Sequence, residues 1–126
     1  MSDGKRNALN WFEIPSANFE RAKKFYETIL DTTMHASNMG EYQMAFFPMD
    51  DGKVGGAVIN HPMLKPSSDG LIVYLNANPD LTATLDRIAK AGGQILVPKT
   101  EITPEIGFFA MFLDSEGNKV ALHSQK

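Results

Sequence analysis

The chain contains no cysteine, which excludes a disulfide framework, a thiolate metal site and a cysteine nucleophile. It also has no apolar run approaching the roughly 20 residues that a membrane-spanning helix needs. The first residues, Met1–Asn7, carry no apolar segment typical of a signal peptide. From these absences we expect a cytoplasmic protein with no membrane partner.

Clustered positive charge is absent as well. The net charge is −3, and lysine and arginine are scattered along the 126 residues. A nucleic-acid-binding protein should show a basic patch or stripe, so we expect no nucleic-acid partner. The remaining composition is that of a globular protein, with 43% apolar residues and enough length for one domain.

The hydrophobic pattern of the first half predicts the element order βαβββ. A strand over Ala8–Ile14 is ended by Pro15, and a helix follows over Phe19–Leu30 with Asn18 as its N-cap. Three short strands should then follow, at Thr33–Ser37, Tyr42–Phe47 and Val54–Ile59.

The same order is predicted again after a connector with two prolines at 61–70. Leu71–Asn76 reads as a strand, and Asn78-Pro79-Asp80 predicts a helix start with Asn at the N-cap and Pro at the first helical position. Gly92-Gly93 should end this helix. The last three strands are predicted at Gln94–Pro98, Phe108–Leu113 and Lys119–His123. Residues 99–107 read as a loop, either a lid or a plain surface connection.

Alternation within the predicted strands separates an aliphatic face from a mixed face. In the first strand, Phe12 and Ile14 share one face, and Trp11 and Glu13 share the other. We expect the aliphatic faces to pack on the helices and the mixed faces to point away from them. In the strand predicted at 71–76, the aliphatic face carries Leu71, Val73 and Leu75. The mixed faces of this strand and of the last one carry Tyr74, Asn76 and His123. A sheet face that is neither apolar nor fully charged suggests a cup for a small molecule.

Five segments in this order resemble the vicinal oxygen chelate superfamily. They are Trp11–Pro15, Asn18–Tyr26, Ala91–Gly93, Ile106–Ala110 and Asp114–Val120, and together they extend over nearly the whole chain. The superfamily includes glyoxalase I, extradiol dioxygenases, and bleomycin- and fosfomycin-resistance proteins.

The resemblance implies an α+β fold of two βαβββ modules. The modules would form a cup-shaped mixed sheet with the helices on its outer face. The chain would then be a single glyoxalase-like domain, with module one at about 7–60, a connector at 61–70 and module two at about 71–126. It also implies a homodimer, because small relatives complete their cups by pairing modules.

Metal-dependent members of this superfamily place His, Gln or Glu at four strand positions inside the cup. Matching the motifs puts these positions on Trp11, on or near Asn60, on Ile72 and on Ala121. Indole has no free lone pair, Ile and Ala cannot coordinate, and Asn is at best a weak oxygen ligand. A catalytic metal site usually needs about three protein ligands. We therefore predict no metal at these positions and no cofactor.

Two residues are candidates for catalysis. Glu13 lies two positions beyond Trp11 on the same face, where it would act as a general base, as a polar anchor or as a structural carboxylate. His123 lies two positions beyond Ala121, and histidine titrates near neutral pH. It would serve as an acid or base, share a displaced metal site with Glu13, or be an ordinary terminal-strand histidine.

The predicted ligand-binding residues are mostly aromatic or amide side chains of the mixed faces. They are Trp11, Asn60, Tyr74, Asn76 and Phe109, with core packing as the alternative for Trp11 and Phe109. The leading hypothesis is a glyoxalase/bleomycin-resistance-like protein that binds a small, partly aromatic or carbonyl-containing molecule without the usual metal. One alternative is a lyase or isomerase of the lactoylglutathione lyase type that uses Glu13 and His123, with or without a displaced metal. Another is a structural or regulatory subunit with a vestigial cup, so whether the protein is an enzyme stays open.

Overall fold

The computed structural model describes residues 7–126, and these residues form eight strands and two helices in the order βαβββ-βαβββ. This confirms the predicted α+β class and the repeated element order. The elements of the first half are β1 (Trp11–Pro15), α1 (Phe19–Leu30), β2 (His35–Met39), β3 (Tyr42–Phe46) and β4 (Gly55–Asn60). The elements of the second half are β5 (Tyr74–Asn76), α2 (Thr82–Ala91), β6 (Gln94–Thr103), β7 (Gly107–Leu113) and β8 (Lys119–Ser124).

Each half forms its own four-stranded mixed sheet with the same topology. The strand order is β1-β4-β3-β2 in the first sheet and β5-β8-β7-β6 in the second. The first strand of each half runs parallel to the last strand, and the other pairs are antiparallel. β1 and β5 are therefore edge strands, each with one side that has no strand partner among the described residues.

The main core lies between the two helices and one face of each sheet. Tyr26 of α1 and Ile88 of α2 are fully buried, and the two helices contact each other. Ile14 of β1, Leu75 of β5 and Leu122 of β8 join the same cluster. This confirms the predicted alternation. We call the opposite face of each sheet, which neither α1 nor α2 covers, its open face.

The start of α1 is fixed by side-chain hydrogen bonds. Asn18 Oδ1 accepts from the Arg21 backbone N–H at 3.0 Å, so the predicted N-cap is confirmed. Glu116, from the turn before β8, accepts from the backbone N–H groups of Ala17 and Asn18 and pairs with Arg21 at 2.6 Å. The carboxylate thus satisfies donors that the helix itself cannot use.

A buried polar cluster, which we call the clamp, joins α1 to this same turn. The Tyr26 hydroxyl donates to Asp114 Oδ2 at 2.7 Å, and Asn118 Nδ2 donates to Asp114 Oδ2 at 3.0 Å and to the Pro15 carbonyl at 2.7 Å. The Ser67 N–H donates to Asn118 Oδ1 at 3.0 Å, which adds the connector. The clamp therefore ties both halves of the chain together.

The predicted start of the second helix is wrong by about three residues. α2 begins at Thr82 with Leu81 at the N-cap position. Asn78 does not cap it, because Asn78 Oδ1 accepts from the Gln125 backbone N–H at 2.8 Å. Asp80 accepts instead from the Thr82 N–H at 2.9 Å and pairs with Lys99. A long-range hydrogen bond thus takes up the Asn78 side chain, which the local pattern assigned to capping.

The lid interpretation of residues 99–107 is also wrong. β6 continues to Thr103, where Thr100 pairs with Phe109 and Thr103 pairs with Gly107, so only a short turn joins β6 to β7. β1 differs from its prediction as well, since it begins at Trp11 and includes Pro15. Proline is tolerated there because β1 is an edge strand, where a missing N–H costs no sheet hydrogen bond. No helix in residues 7–126 is long and apolar enough to cross a membrane.

Candidate functional site

A cleft of about 870 Å³ lies between edge strand β1 and the segment 71–76 that contains edge strand β5. Its volume falls within the range of small-molecule sites. Buried and half-buried apolar side chains form its base: Phe12, Leu30, Phe47, Val73 and Leu75. Exposed side chains form its rim: Leu9, Trp11, Glu13, Leu71, Tyr74 and Asn76.

Two consecutive glycines at the start of β4 shape the β1 side of the cleft. Gly55 pairs with Trp11 and Gly56 pairs with Phe12. A Cβ on Gly56 would come within 2.5 Å of the Phe12 ring, so only glycine allows that ring to lie against the strand. On the opposite face, the Met49 thioether rests on Gly55 beside the Trp11 indole. The two glycines therefore leave the space in which Phe12 packs on one face of the sheet, and Met49 beside Trp11 on the other.

Trp11 presents a partly exposed aromatic surface at the rim. Its ring meets Phe46 edge to face, with centroids 6.1 Å apart, and 39% of the residue is exposed. The indole Nε1–H donates a long hydrogen bond of 3.3 Å to Glu13 Oε2. An exposed indole next to a carboxylate is suited to a ligand that has an aromatic ring and a polar group.

Glu13 lies where two cavities meet. Besides the main cleft, it lines a smaller cavity of about 210 Å³, whose wall also includes Lys65, Asp69 and Lys119. Within residues 7–126, its carboxylate forms no ion pair, and its side-chain contact is the bond from Trp11. Glu13 is therefore free to accept a hydrogen bond or a proton from a bound molecule.

The opposite rim is formed by β5. Tyr74 is 52% exposed and lies on the open face together with Asn76. Asn76 Oδ1 accepts from the Asn78 backbone N–H at 3.0 Å, which fixes the orientation of the amide. Aromatic groups thus stand on both sides of the cleft, Trp11 on β1 and Tyr74 on β5.

Three predicted site residues lie outside the lining of the cleft. Asn60 is half-buried, and its Nδ2 donates to the Ser16 carbonyl at 2.9 Å. His123 is half-buried on β8, and its Nε2 lies 2.7 Å from the Ile106 carbonyl oxygen. Phe109 pairs with His123 on the neighbouring strand. The structure therefore brings four predicted residues together at the cleft, Trp11, Glu13, Tyr74 and Asn76.

The four positions that match the superfamily's metal ligands do not fit a metal. Trp11 offers an indole, Asn60 offers an amide that is bonded to Ser16, and Ile72 and Ala121 offer no donor atom. Over the described part of the chain, no three His, Asp or Glu side chains come together as a possible metal site. The alternative pair, Glu13 and His123, is divided between the two sheets.

Several cleft residues were not predicted from the sequence. Leu71 was assigned to the helix-packed face, but it precedes β5 and is 97% exposed. Phe47 and Leu30 reach the cleft from the core side, and Val54 reaches it from the loop before β4. The sequence signal that could have located the β1 side of the cleft is the pair Gly55-Gly56, next to which the aromatic residues Trp11 and Phe12 pack.

The shifted pKa values in residues 7–126 belong to groups that hold the fold together. Burial, together with the charge of Asp114, raises the pKa of Tyr26 well above its usual value. Partial burial would raise the pKa of Glu116, but hydrogen bonds, that from Arg21 first, outweigh burial and lower it. Hydrogen bonds from Thr82 and Lys99 lower the pKa of Asp80.

The sequence matches a known family over almost its whole length. Residues 8–122 match the Glyoxalase/Bleomycin resistance protein/Dioxygenase superfamily. The chain therefore belongs to this superfamily, which confirms the resemblance read from its motifs. A glyoxylase-like domain-containing protein of Didymella fabae is 32% identical over an alignment of 124 positions, which covers 90% of this chain and 91% of the relative. A putative glyoxylase, CFP32, of Mycobacterium bovis is 26% identical over 96% of this chain.

Solved structures show the same fold at lower identity. Glyoxalase I from Zea mays superposes with a TM-score of 0.71 at 21% identity, over 93% of this chain. TnmS3, an antibiotic binding protein from Streptomyces sp. CB03234, superposes with a TM-score of 0.68 at 21% identity, over 97% of this chain and 98% of its own. This chain spans about half of the maize enzyme and of the mycobacterial relative, 46% and 47% of their lengths.

Proposed function

We propose that the protein binds a small, partly aromatic or carbonyl-containing molecule in the cleft between β1 and β5, without a metal. The observation that carries this proposal is the pairing of exposed Trp11 and Tyr74 on opposite walls above an apolar base. Flat apolar rings gain both burial and specific stacking in such a setting. TnmS3, which has a similar length and fold, is an antibiotic binding protein, and this likeness supports the proposal.

In this proposal the rim residues make two kinds of contact with the ligand. Trp11 and Tyr74 stack on its ring system. Glu13 accepts a hydrogen bond from its polar group, and Asn76 donates one to it. Phe109 and His123 lie outside the cleft lining, but they follow Asn76 across the second sheet, so in this proposal they extend the site beyond Asn76. We give Asn60 no ligand contact, because its amide already donates to the Ser16 carbonyl.

The chain offers a direct readout, because Trp11 is its single tryptophan. A library of bicyclic and tricyclic aromatic compounds is titrated into the protein, and quenching of Trp11 fluorescence gives Kd. Calorimetry with Trp11→Ala should then show at least about tenfold weaker binding of each hit, or about 1.4 kcal/mol. Leu96→Ala is the matched control, since Leu96 is also 39% exposed but lies on β6, outside the cleft. If no compound binds, or if both variants bind as the wild type does, the proposal is wrong.

The observation that favours an enzyme is the position of Glu13, whose carboxylate lines the cleft and forms no ion pair with any other described residue. The proposal in this form is a lyase or isomerase that moves a proton on a small carbonyl compound, with Glu13 as the general base and His123 as a second acid or base. A positioned base typically contributes about 100-fold or more to the rate. If turnover on a carbonyl panel is detected but is unchanged in Glu13→Gln and His123→Ala, these roles are wrong. The open cleft gives no support to a vestigial cup.

We also propose that two copies pair, in the cytoplasm and without nucleic acid. The maize and mycobacterial relatives are about twice as long as the part that matches this chain, so a second copy would supply a comparable length. The exposed Leu71 beside the cleft is a candidate contact. Light scattering should give a mass near twice 13.9 kDa, and a mass of one chain at micromolar concentration would contradict the pairing.

A further inference from the structure

Asn76 lines the cleft, and His123 lies next to it on β8, outside the cleft lining. They are register partners in the parallel β5–β8 pair, so their side chains lie on the same open face, on strands about 4.8 Å apart. Asn76 is exposed and lines the cleft, and His123 is half-buried beside it. Phe109 pairs with His123 from the other side, so an aromatic ring flanks the pair.

The hydrogen-bonding role of each His123 nitrogen follows from one contact. Nε2 lies 2.7 Å from the Ile106 carbonyl oxygen, which can only accept, so Nε2 carries the proton. In neutral imidazole the second nitrogen is then an acceptor. Among residues 7–126, Nδ1 has no hydrogen-bond partner. His123 therefore offers one oriented acceptor.

Asn76 offers the complementary group. Its Oδ1 accepts from the Asn78 backbone N–H at 3.0 Å, and that donor determines which end of the amide is the oxygen. The Nδ2 group, with two N–H donors, makes no hydrogen bond within the described chain. A donor on β5 thus stands beside an acceptor on β8.

We propose that this pair recognises a lactam, a cyclic amide whose carbonyl and N–H lie on the same side of a ring. The lactam carbonyl accepts from Asn76 Nδ2, and the lactam N–H donates to His123 Nδ1. A carboxylate fits less well, because it has only acceptors and would place one of them against the Nδ1 lone pair. The inference rests on the proposed function, since the lactam is one end of the aromatic molecule in the cleft.

The test uses 2-quinolone and N-methyl-2-quinolone, two probes with the same rings and carbonyl that differ at the lactam nitrogen. Calorimetry at pH 8 gives Kd for each probe with wild-type protein and with the variants. We expect wild type to bind 2-quinolone at least about tenfold more tightly, because the methylated probe leaves Nδ1 unpaired. This preference should fall to less than about threefold in His123→Leu, and it should persist in His35→Leu, whose histidine lies on β2.

A second variant covers the case in which His123→Leu does not fold. Asn76→Ala, at an exposed position, should weaken both probes, because both keep the carbonyl that Asn76 binds. Equal affinities in wild type, a preference that persists in His123→Leu, or no binding of either probe would each overturn the lactam assignment. These outcomes differ from those that would contradict the proposed function itself. In that case no compound of the wider library would bind, or Trp11→Ala would leave the Kd of both probes unchanged.

Discussion

Replacing Tyr26 with phenylalanine should remove one hydrogen bond from the clamp and leave the packing intact. Tyr26 is fully buried, and its hydroxyl donates to Asp114, which is 4% exposed, at 2.7 Å. The ring packs edge to face on Phe25 and Phe47, with centroids 4.9 and 5.3 Å away. Phenylalanine keeps both ring contacts, so the change isolates the hydroxyl.

The expected cost follows from what remains around Asp114. A hydrogen bond to a charged group contributes about 1.5–3 kcal/mol net. Asp114 still accepts from the Glu116 N–H at 2.8 Å, from the Asn118 N–H at 2.9 Å and from Asn118 Nδ2 at 3.0 Å, so the carboxylate keeps most of its partners. We therefore expect the free energy of unfolding to fall by about 2 kcal/mol, and Tm by about 8 °C.

The assay is urea unfolding at pH 7 and one fixed protein concentration, because association would shift the apparent stability. Tyr42→Phe is the matched control, since Tyr42 stacks on His61 but its hydroxyl makes no hydrogen bond within residues 7–126. The control should change the free energy of unfolding by less than about 0.5 kcal/mol. If Tyr26→Phe costs no more than Tyr42→Phe, the clamp does not stabilise the fold as described.

Further predictions concern the glycines at the cleft wall and the loss of stability at acidic pH. Gly56→Ala should destabilise the fold by about 1–3 kcal/mol in urea unfolding, because the new methyl group meets the Phe12 ring and backbone. Gly55→Ala should cost less, because it meets a flexible methionine side chain, and equal costs would refute this account of the wall. The pKa of Glu116 is lowered in the fold, so its contribution is present above the unfolded pKa and is lost as pH falls through the folded pKa. Unfolding midpoints of Glu116→Gln between pH 6 and 3 should therefore fall less steeply than those of wild type, and parallel slopes would contradict this.

Much of the fold could be predicted because its local signals agree with its packing. The bounds of α1 are those that the periodicity of its buried residues and the Asn18 cap predict. Alternation in β1 separated buried Ile14 from exposed Trp11 without any knowledge of the sheet. In both places the residue pattern and the tertiary environment favour the same structure.

The errors fall where long-range contacts override local preference. Asn78 has the chemistry of a cap, but its side chain binds the backbone of Gln125, 47 positions away. Residues 99–103 lack a clear strand pattern, yet they pair with β7 through several register shifts. Neither contact can be read from a short window of sequence.

The candidate site could be predicted in part, namely where it depends on alternation within a strand. Trp11, Glu13, Tyr74 and Asn76 were identified because alternation assigns them to the open faces, and both strands border the cleft. Asn60 was placed by motif matching, which does not show that its amide faces the Ser16 carbonyl. Leu71 was misassigned because the strand pattern was extended three residues before β5 begins.

The central claim is that the cleft binds an aromatic molecule without a metal. The most direct measurement is calorimetric titration of the tightest ligand from the aromatic library into protein dialysed against EDTA, and into protein incubated with nickel, zinc, manganese or iron(II). Metal content is determined in the same samples. We predict the same Kd in all of them, with well under one metal ion per chain. Binding that requires a metal, or one tightly held ion per chain, would contradict the account.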